Sequence, residues 1–124
     1  MKVSEAVRRA GTLITRVSSV QCILFENGKA VAASGLGLAV IGYLNTVDYG
    51  DILEHVGVVP PRKIKVMDAA FFLANNLGLD IEEFYEHPIE VDRENAIIDL
   101  MDNLVQVYYW SADDLAAWLE KIDL

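Results

Sequence analysis

Length, composition and charge set the first limits on this chain. It has 124 residues, 53% of them hydrophobic and 23% charged, which is the size and composition of one core-forming domain and excludes a disordered protein. The formal net charge of −9 repels phosphate backbones and anionic membranes, so direct binding to nucleic acid or to a membrane is disfavoured. Cys22 is the single cysteine, and the first residues lack an apolar signal core, so we expect a cytoplasmic protein.

The first predicted element is an amphipathic helix over residues 3–17, ending before Ser18. Gly11 is the weak point of this pattern, because glycine lowers helix propensity. The apolar positions recur at helical spacing and form one inward face: Val3, Ala6, Val7, Ala10, Ile14 and Val17.

A β-hairpin is predicted over about residues 20–34. Asn27 and Gly28 stand between two apolar runs, and this pair favours a type I′ turn, which needs positive φ at both central positions. Glu26 and Lys29 flank the turn with opposite charges, which is a favourable cross-strand pair.

A glycine-rich segment over residues 35–46 follows the hairpin. Ser34 is a suitable N-cap, so we predict a buried helix packed on the hairpin, with a third strand as the alternative. No charge occurs from Ala30 to Val47, which approaches the length of a membrane span. The glycines and polar residues within it favour a core segment instead.

Two helices are predicted next. The first begins at a cap, Asp48, and runs through His55, with Gly57 just past its end. A proline pair then breaks the chain. The second helix spans residues 64–77 and stops at Gly78, with the following inward positions: Val66, Ala70, Phe71, Leu73, Ala74 and Leu77.

Three more helices are predicted in the last third of the chain. Asp80 and Glu83 have capping-box spacing, so we predict a short helix that begins there and ends at Glu86. A long helix is predicted over residues 92–109. The last helix begins at Ser111, which forms a capping box with Asp114. Trp110 and Leu115 occupy the positions of a hydrophobic staple. The apolar stripe of this helix consists of Leu115, Trp118, Leu119 and Ile122.

These elements together predict an α+β fold. It is a mainly helical single domain over residues 1–124, with one β-hairpin packed on five or six helices. We expect a single core shared by all the elements.

Patterns of active-site chemistry are absent from the sequence. Two histidines and one cysteine have no zinc-site spacing, and no EF-hand loop or Walker motif occurs. Gly35 and Gly37 resemble the start of a dinucleotide fingerprint, but Val40 stands where the third glycine is required. We therefore predict no catalytic residue, no metal and no cofactor.

Charge is divided unevenly along the chain. Residues 1–65 carry eight Lys/Arg against five Asp/Glu, whereas residues 66–124 carry two against fourteen. The helix–turn–helix rhythm over residues 64–86 does not predict DNA binding, because its second helix offers carboxylates to phosphates. We predict instead that an acidic surface contacts a basic protein partner, through Asp80, Glu82, Glu83, Glu86, Glu90, Asp92 and Glu94. A merely solvated face of two helices is the alternative.

Some segments resemble small uncharacterised proteins of bacteria and their phages. These are the N-terminal helix, the hairpin turn over residues 25–29 that leads to residues 37–43, and the ending over residues 110–120. The resemblance implies a bacterial or phage setting and no particular activity.

The sequence favours a small acidic interaction or regulatory protein that is not an enzyme. In a phage setting it would inhibit a host nucleic-acid-handling enzyme by charge mimicry. One alternative is an enzyme or small-molecule binder built from Tyr43, His55, His87 and Tyr109. A structural protein that assembles from identical subunits is the other alternative.

Overall fold

The computed structural model describes residues 1–14, 21–79 and 110–124. Within these ranges it has one antiparallel hairpin and five α-helices, so the predicted α+β, mainly helical class is confirmed. The helices predicted over residues 80–86 and 92–109 lie outside the described residues, and the total of five or six helices in one domain stays a prediction. The elements are α1 (Val3–Ala10), β1 (Ile23–Glu26), β2 (Lys29–Ala33), α2 (Gly35–Leu44), α3 (Tyr49–Val56), α4 (Val66–Leu77) and α5 (Ala112–Lys121).

The hairpin forms at the predicted turn. Asn27 and Gly28 have φ of 53° and 77°, which are the positive values that a type I′ turn requires. Glu26 pairs with Lys29 across the turn. The two strands are shorter than the predicted 20–34, although the N–H of Ser34 also donates to the carbonyl of Cys22 at 2.9 Å, one residue beyond them.

Backbone hydrogen bonds connect the hairpin to the start of α3. The N–H of Ala30 donates to the carbonyl of Val47 at 2.8 Å, and the N–H of Tyr49 donates to the carbonyl of Gly28 at 2.9 Å. The ring of Tyr49 meets the ring of Phe25 edge to face, with centroids 4.9 Å apart. The hairpin therefore fixes where α3 begins.

The N-terminal helix is shorter than predicted, and the expectation of a helix over residues 3–17 is wrong. α1 ends at Ala10, where the hydrogen bonds tighten from i→i−4 to i→i−3. Gly11 is a poor helix former, and the hydroxyl of Thr12 donates to the carbonyl of Arg9 at 2.7 Å, competing with helix continuation. The predicted inward face is nevertheless buried at Val3, Ala6, Val7, Ala10 and Ile14.

The segment after the hairpin is helical, which confirms the prediction for residues 35–46 and excludes the third strand. Ser34 caps α2, since its hydroxyl accepts from the N–H of Gly37 at 3.3 Å. Asn45 ends the helix in a left-handed conformation, with φ of 57°. α2 is buried along nearly its whole length and lies at the centre of the described core.

Two glycines let other backbone segments approach α2 closely. A Cβ atom at Gly42 would collide with the backbone carbonyl of Ala6 in α1. A Cβ atom at Gly37 would collide with the carbonyl of Cys22, just before β1. The glycines that cost helix propensity thus allow the closest packing in the described core.

The remaining helices begin and end close to the predicted positions. Asp48 caps α3, and Gly57 follows that helix with φ of 85°. α4 begins two residues later than predicted and stops at Gly78, as expected. Ser111 and Asp114 exchange hydrogen bonds of 3.1 Å at the start of α5, which confirms the capping box.

Two side chains that we predict to face the core are exposed instead. Phe71 is 51% exposed because α4 buries Ala70 and Leu73, and position 71 lies about 200° around the helix from position 73. Ile122 is 38% exposed because it follows the last helical residue of α5 with φ of −103° and leaves the apolar stripe.

The two ends of the chain lie together. α1 contacts both α2 and α5. The N–H of Ser4 donates to the carbonyl of Leu124 at 3.1 Å, and the ammonium of Lys2 lies 3.0 Å from the carboxylate of Asp123. Arg8 forms an ion pair with Glu120. These contacts hold α5 against α1.

Candidate docking groove

An open groove of about 690 Å³ lies between the end of α2, the end of α3 and one face of α4. It contains two of the residues named for a scattered-residue site, Tyr43 and His55, which are twelve positions apart in sequence. His87 and Tyr109 lie outside the described residues, as do all seven predicted partner contacts. We call this feature the α4 groove, lined by Tyr43, Leu44, His55, Val56, Asp68, Phe71, Phe72, Asn75 and Asn76.

Tyr43 is held at the groove by α1. Arg9 reaches across from that helix and donates from Nε to the carbonyl of Gly42 at 2.7 Å and from Nη2 to the carbonyl of Tyr43 at 3.1 Å. These carbonyls belong to the last turn of α2, where no intrahelical donor remains for them. A guanidinium there also complements the negative end of the helix dipole. The sequence does not disclose this role of Arg9, because nothing local pairs position 9 with position 42.

The far wall of the groove is an ordered aromatic and amide cluster. The rings of Tyr43 and Phe72 meet edge to face, with centroids 5.7 Å apart. The hydroxyl of Tyr43 donates to Oδ1 of Asn76 at 3.3 Å, and Nδ2 of Asn76 donates to the carbonyl of Phe72 at 2.8 Å. Each side chain fixes the next, so this wall is preformed.

The carboxylate of Asp68, at the edge of the α4 groove, is hydrogen-bonded to neighbouring residues. Its carboxylate accepts two hydrogen bonds from Arg62, at 2.9 and 3.1 Å, and one from the N–H of Lys65 at 2.8 Å. The hydrogen bond from the Arg62 guanidinium lowers the pKa of Asp68, although partial burial opposes this. Asp68 is therefore an ionised cap of α4 and is not available as a general acid.

His55 shows no catalytic pairing among the described residues. Its Nδ1 lies 2.8 Å from the carbonyl of Asp51, and a carbonyl can only accept, so the proton is on Nδ1. The described lining offers no serine, threonine or cysteine for this imidazole to activate. Among the described residues, the groove lining therefore combines aromatic, amide and imidazole groups.

Phe71 is the exposed aromatic of the groove. Half of its surface faces solvent, in contrast to Phe72, which packs against the core. Consecutive positions lie about 100° apart around a helix, so Phe71 and Phe72 point in different directions from α4. The burial of Ala69 decides which of the two is outside, since it places the core face of α4 away from Phe71.

Acidic side chains stand beside the α4 groove on α3. Asp51 lies one helical turn before His55 on the same face, and Glu54 precedes it directly. Both carboxylate-bearing residues are exposed, and neither forms an ion pair with any residue in the described ranges. Cations stand at the same groove, since Arg62 binds Asp68, Lys65 also lowers the pKa of Asp68, and Arg9 binds the carbonyl of Tyr43.

A smaller cavity of about 260 Å³ lies between β1, α3 and the loop before α4. Phe25, Leu53 and Ile64 make it apolar, and Arg62 and Lys63 stand at its edge. Of these two cations, Arg62 is already bound to Asp68.

Metal-ligand clusters and membrane-spanning helices are both absent from the described part of the chain. No three His, Cys, Asp or Glu side chains there are grouped so that they could hold a metal ion. Of the helices in the same ranges, none has the length and apolar character needed to cross a bilayer.

Comparisons of this chain with models of protein families, with curated proteins and with solved structures found no match.

Proposed function

We propose that this protein is a non-enzymatic binding protein of a bacterial or phage cytoplasm that docks a basic protein partner. The contacts would come from the acidic segment, which we define by Asp80, Glu82, Glu83, Glu86, Glu90, Asp92 and Glu94. A partner whose basic surface ordinarily holds nucleic acid would be inhibited by such a segment, because the carboxylates occupy the place of phosphates.

The observation that supports this proposal is the placement of net charge. Described residues carry ten Asp/Glu against eight Lys/Arg, whereas residues 80–109 carry nine against Arg93 alone. In the described part, Lys2, Arg8 and Arg62 are paired with carboxylates of the same molecule. Most of the −9 charge is therefore concentrated in one stretch of 30 residues, where it would attract a basic surface most strongly.

Charge reversal tests the proposal. The triple variant Glu82→Lys, Glu83→Lys and Glu86→Lys changes the net charge from −9 to −3. Tagged protein is used to capture partners from cells of its own source, and the captured proteins are identified by mass spectrometry. We expect a basic partner that elutes as salt is raised and that the triple variant no longer captures, because salt screens exposed charges.

The matched control places the same change of charge elsewhere. Glu26→Lys, Asp113→Lys and Asp123→Lys also bring the net charge to −3, at exposed positions outside the acidic segment. The ion pairs of Asp113 with Arg8 and of Asp123 with Lys2 are exposed, so little stability is lost, and a melting curve checks this. Capture that survives in the control and disappears in the triple variant supports docking by the acidic segment. Equal capture by all three proteins contradicts it.

A small-molecule-binding protein is the second candidate, because the structure brings Tyr43 and His55 into one groove. The openness of the α4 groove counts against it, since small-molecule sites bury most of their ligand. A nuclear magnetic resonance screen of small polar aromatic compounds, read on the ring protons of His55, tests it. Saturable shifts at low concentration would favour this candidate, and their absence would remove it.

A further inference from the structure

We propose that the smaller cavity, between β1, α3 and the loop before α4, binds a small organic acid that has an apolar body and one carboxylate. We call it the β1 cavity; Ile23, Leu53 and Ile64 line its inner part, and Arg62 and Lys63 line its edge. It shares no lining residue with the α4 groove. The inference is independent of the proposed function.

The inner part of the β1 cavity is apolar. Ile23, Leu53 and Ile64 are all buried and belong to the described core. Phe25 and Tyr49 also line the cavity, and their rings hold each other edge to face. An aromatic or aliphatic body would find a preformed apolar surface here, which is the usual character of a small-molecule site.

The volume of the cavity sets the size of its ligand. An apolar cavity of about 150 Å³ holds a benzene molecule. The β1 cavity measures about 260 Å³, so it has room for an aromatic ring with a short chain and a carboxylate. A nucleotide or a folded peptide segment is too large for it.

Both charged side chains that line the cavity are cationic. Arg62 donates to Asp68 from both of its Nη atoms, so its charge is balanced. Lys63 is exposed and forms no ion pair with any residue of the described ranges. One unbalanced ammonium beside an apolar interior is suited to one carboxylate on an apolar body.

The acidic side chains of α3 do not line the cavity. Tyr49 and Leu53 line it and mark the side of the helix that faces it. Because successive residues lie about 100° apart around a helix, Asp51 is on the opposite side and Glu54 is about 100° from the nearer of the two. The carboxylate of Asp48 caps the helix by accepting from the N–H of Asp51.

The charges on the other two walls do not oppose an anion either. Glu26 follows Phe25 in β1, so it points to the other face of the strand, and it pairs with Lys29 across the turn. Lys65 follows the lining residue Ile64 and adds a positive charge nearby. The net charge of −9 acts at longer range, where about 0.1 M salt screens charges more than about 10 Å apart.

Three probes test the inference by calorimetric titration of the full chain. Hydrocinnamate has a phenyl ring, a short chain and a carboxylate, hydrocinnamamide has the same shape without the charge, and acetate has the charge without the ring. We expect hydrocinnamate to bind saturably, with a dissociation constant of about 1 mM or below. It should bind about threefold to fivefold more tightly than the amide, which is the worth of an exposed ion pair, and acetate should not bind detectably.

Lys63→Met removes the ammonium and keeps most of the side chain. We expect hydrocinnamate to lose its preference over the amide, while the affinity of the amide is unchanged. Lys121→Met is the matched control, because it makes the same change of charge at an exposed position of α5 outside the cavity. This control should keep the preference of the unmodified protein.

A second variant and a spectroscopic signal locate the ligand. Leu24 is a half-buried lining residue, so Leu24→Trp should fill part of the cavity and weaken both hydrocinnamate and its amide by about tenfold. In nuclear magnetic resonance spectra, hydrocinnamate should shift the ring signals of Phe25 and Tyr49. The ring of His55, which lines the α4 groove, should not respond. Melting curves verify that each variant is folded.

The contrary outcomes are distinct. Absence of saturable hydrocinnamate binding, or equal affinity for the acid and the amide, overturns the inference. Acetate that binds as tightly as hydrocinnamate indicates an adventitious ion only and also overturns it. So does a preference that persists in Lys63→Met, or a shift at His55 in place of Phe25 and Tyr49. None of these results bears on the acidic segment, which the capture experiment tests separately.

Discussion

α2 and α4 pack against each other, yet α2 is almost completely buried whereas α4 is exposed along one side. α2 is enclosed on nearly all sides, and its glycines allow backbone to approach backbone. α4 buries a narrow stripe and presents Phe71 and Asn75 to solvent. The comparison teaches that the glycine-rich helix forms the centre of the described core and that the helix packed on it presents aromatic and amide side chains to solvent.

A large effect is expected from Gly42→Ala. The new Cβ atom would collide with the carbonyl of Ala6, and neither helix backbone can move without disturbing the core. We expect a loss of about 3 kcal/mol in the free energy of unfolding, measured by urea denaturation. Gly50→Ala in α3 is the control, because the nearest atom to its new Cβ is a cap oxygen at 3.4 Å. That change should gain about 0.5–1 kcal/mol, and equal behaviour of the two variants would contradict the role of α2.

Leu73→Ala and Phe71→Ala separate the two faces of α4. Leu73 is fully buried, so its truncation should cost about 2–5 kcal/mol in the free energy of unfolding. Phe71 is half-exposed, and its truncation should change stability by less than about 0.5 kcal/mol. A comparable loss at both positions, measured by urea denaturation, would show that Phe71 supports the fold as Leu73 does.

Arg9→Ala should weaken the attachment of α2 to α1. It leaves the carbonyls of Gly42 and Tyr43 without their donor, at a cost of about 1–3 kcal/mol. Arg9→Lys keeps the charge but not the two-nitrogen geometry, so it should recover only part of this loss. Arg8→Ala is the control, since its ion pair with Glu120 is exposed, and it should lose less than Arg9→Ala in the same thermal melts.

Asp68→Asn should change stability in a pH-dependent way. Because the pKa of Asp68 is lowered in the folded protein, its carboxylate stabilises the fold above the ordinary value of 3.8. That contribution is lost as pH falls through the lowered pKa. The variant should therefore be less stable by about 1 kcal/mol at neutral pH, the usual worth of a cap, and the gap should close in acid. A gap that is the same at neutral and acidic pH, in denaturation curves, would contradict this account.

Local signals in the sequence predict much of the fold. The Asn27–Gly28 turn, the caps at Ser34 and Asp48, and the stop at Gly78 act within a few residues of the elements they define. Such signals are readable without knowledge of the tertiary structure.

What the sequence does not disclose depends on packing between distant residues. α1 ends near Gly11 partly because glycine and the hydroxyl of Thr12 disfavour a longer helix, whereas the apolar periodicity continues past this point. The exposure of Phe71 depends on which stripe of α4 meets α2, and the role of Arg9 depends on a helix 33 positions away. The α4 groove follows the same rule, since Tyr43 and His55 meet only when α2 and α3 are in place.

The central claim is that the acidic segment docks a basic partner. The most direct test is the dissociation constant of the captured partner in about 0.1 M and about 1 M salt, where the Debye length falls from about 10 Å to about 3 Å. We predict that the unmodified protein binds far more weakly at high salt. We also predict that the Glu82/Glu83/Glu86 reversal binds weakly at both concentrations. An affinity that is independent of salt and unchanged by the reversal would contradict the claim.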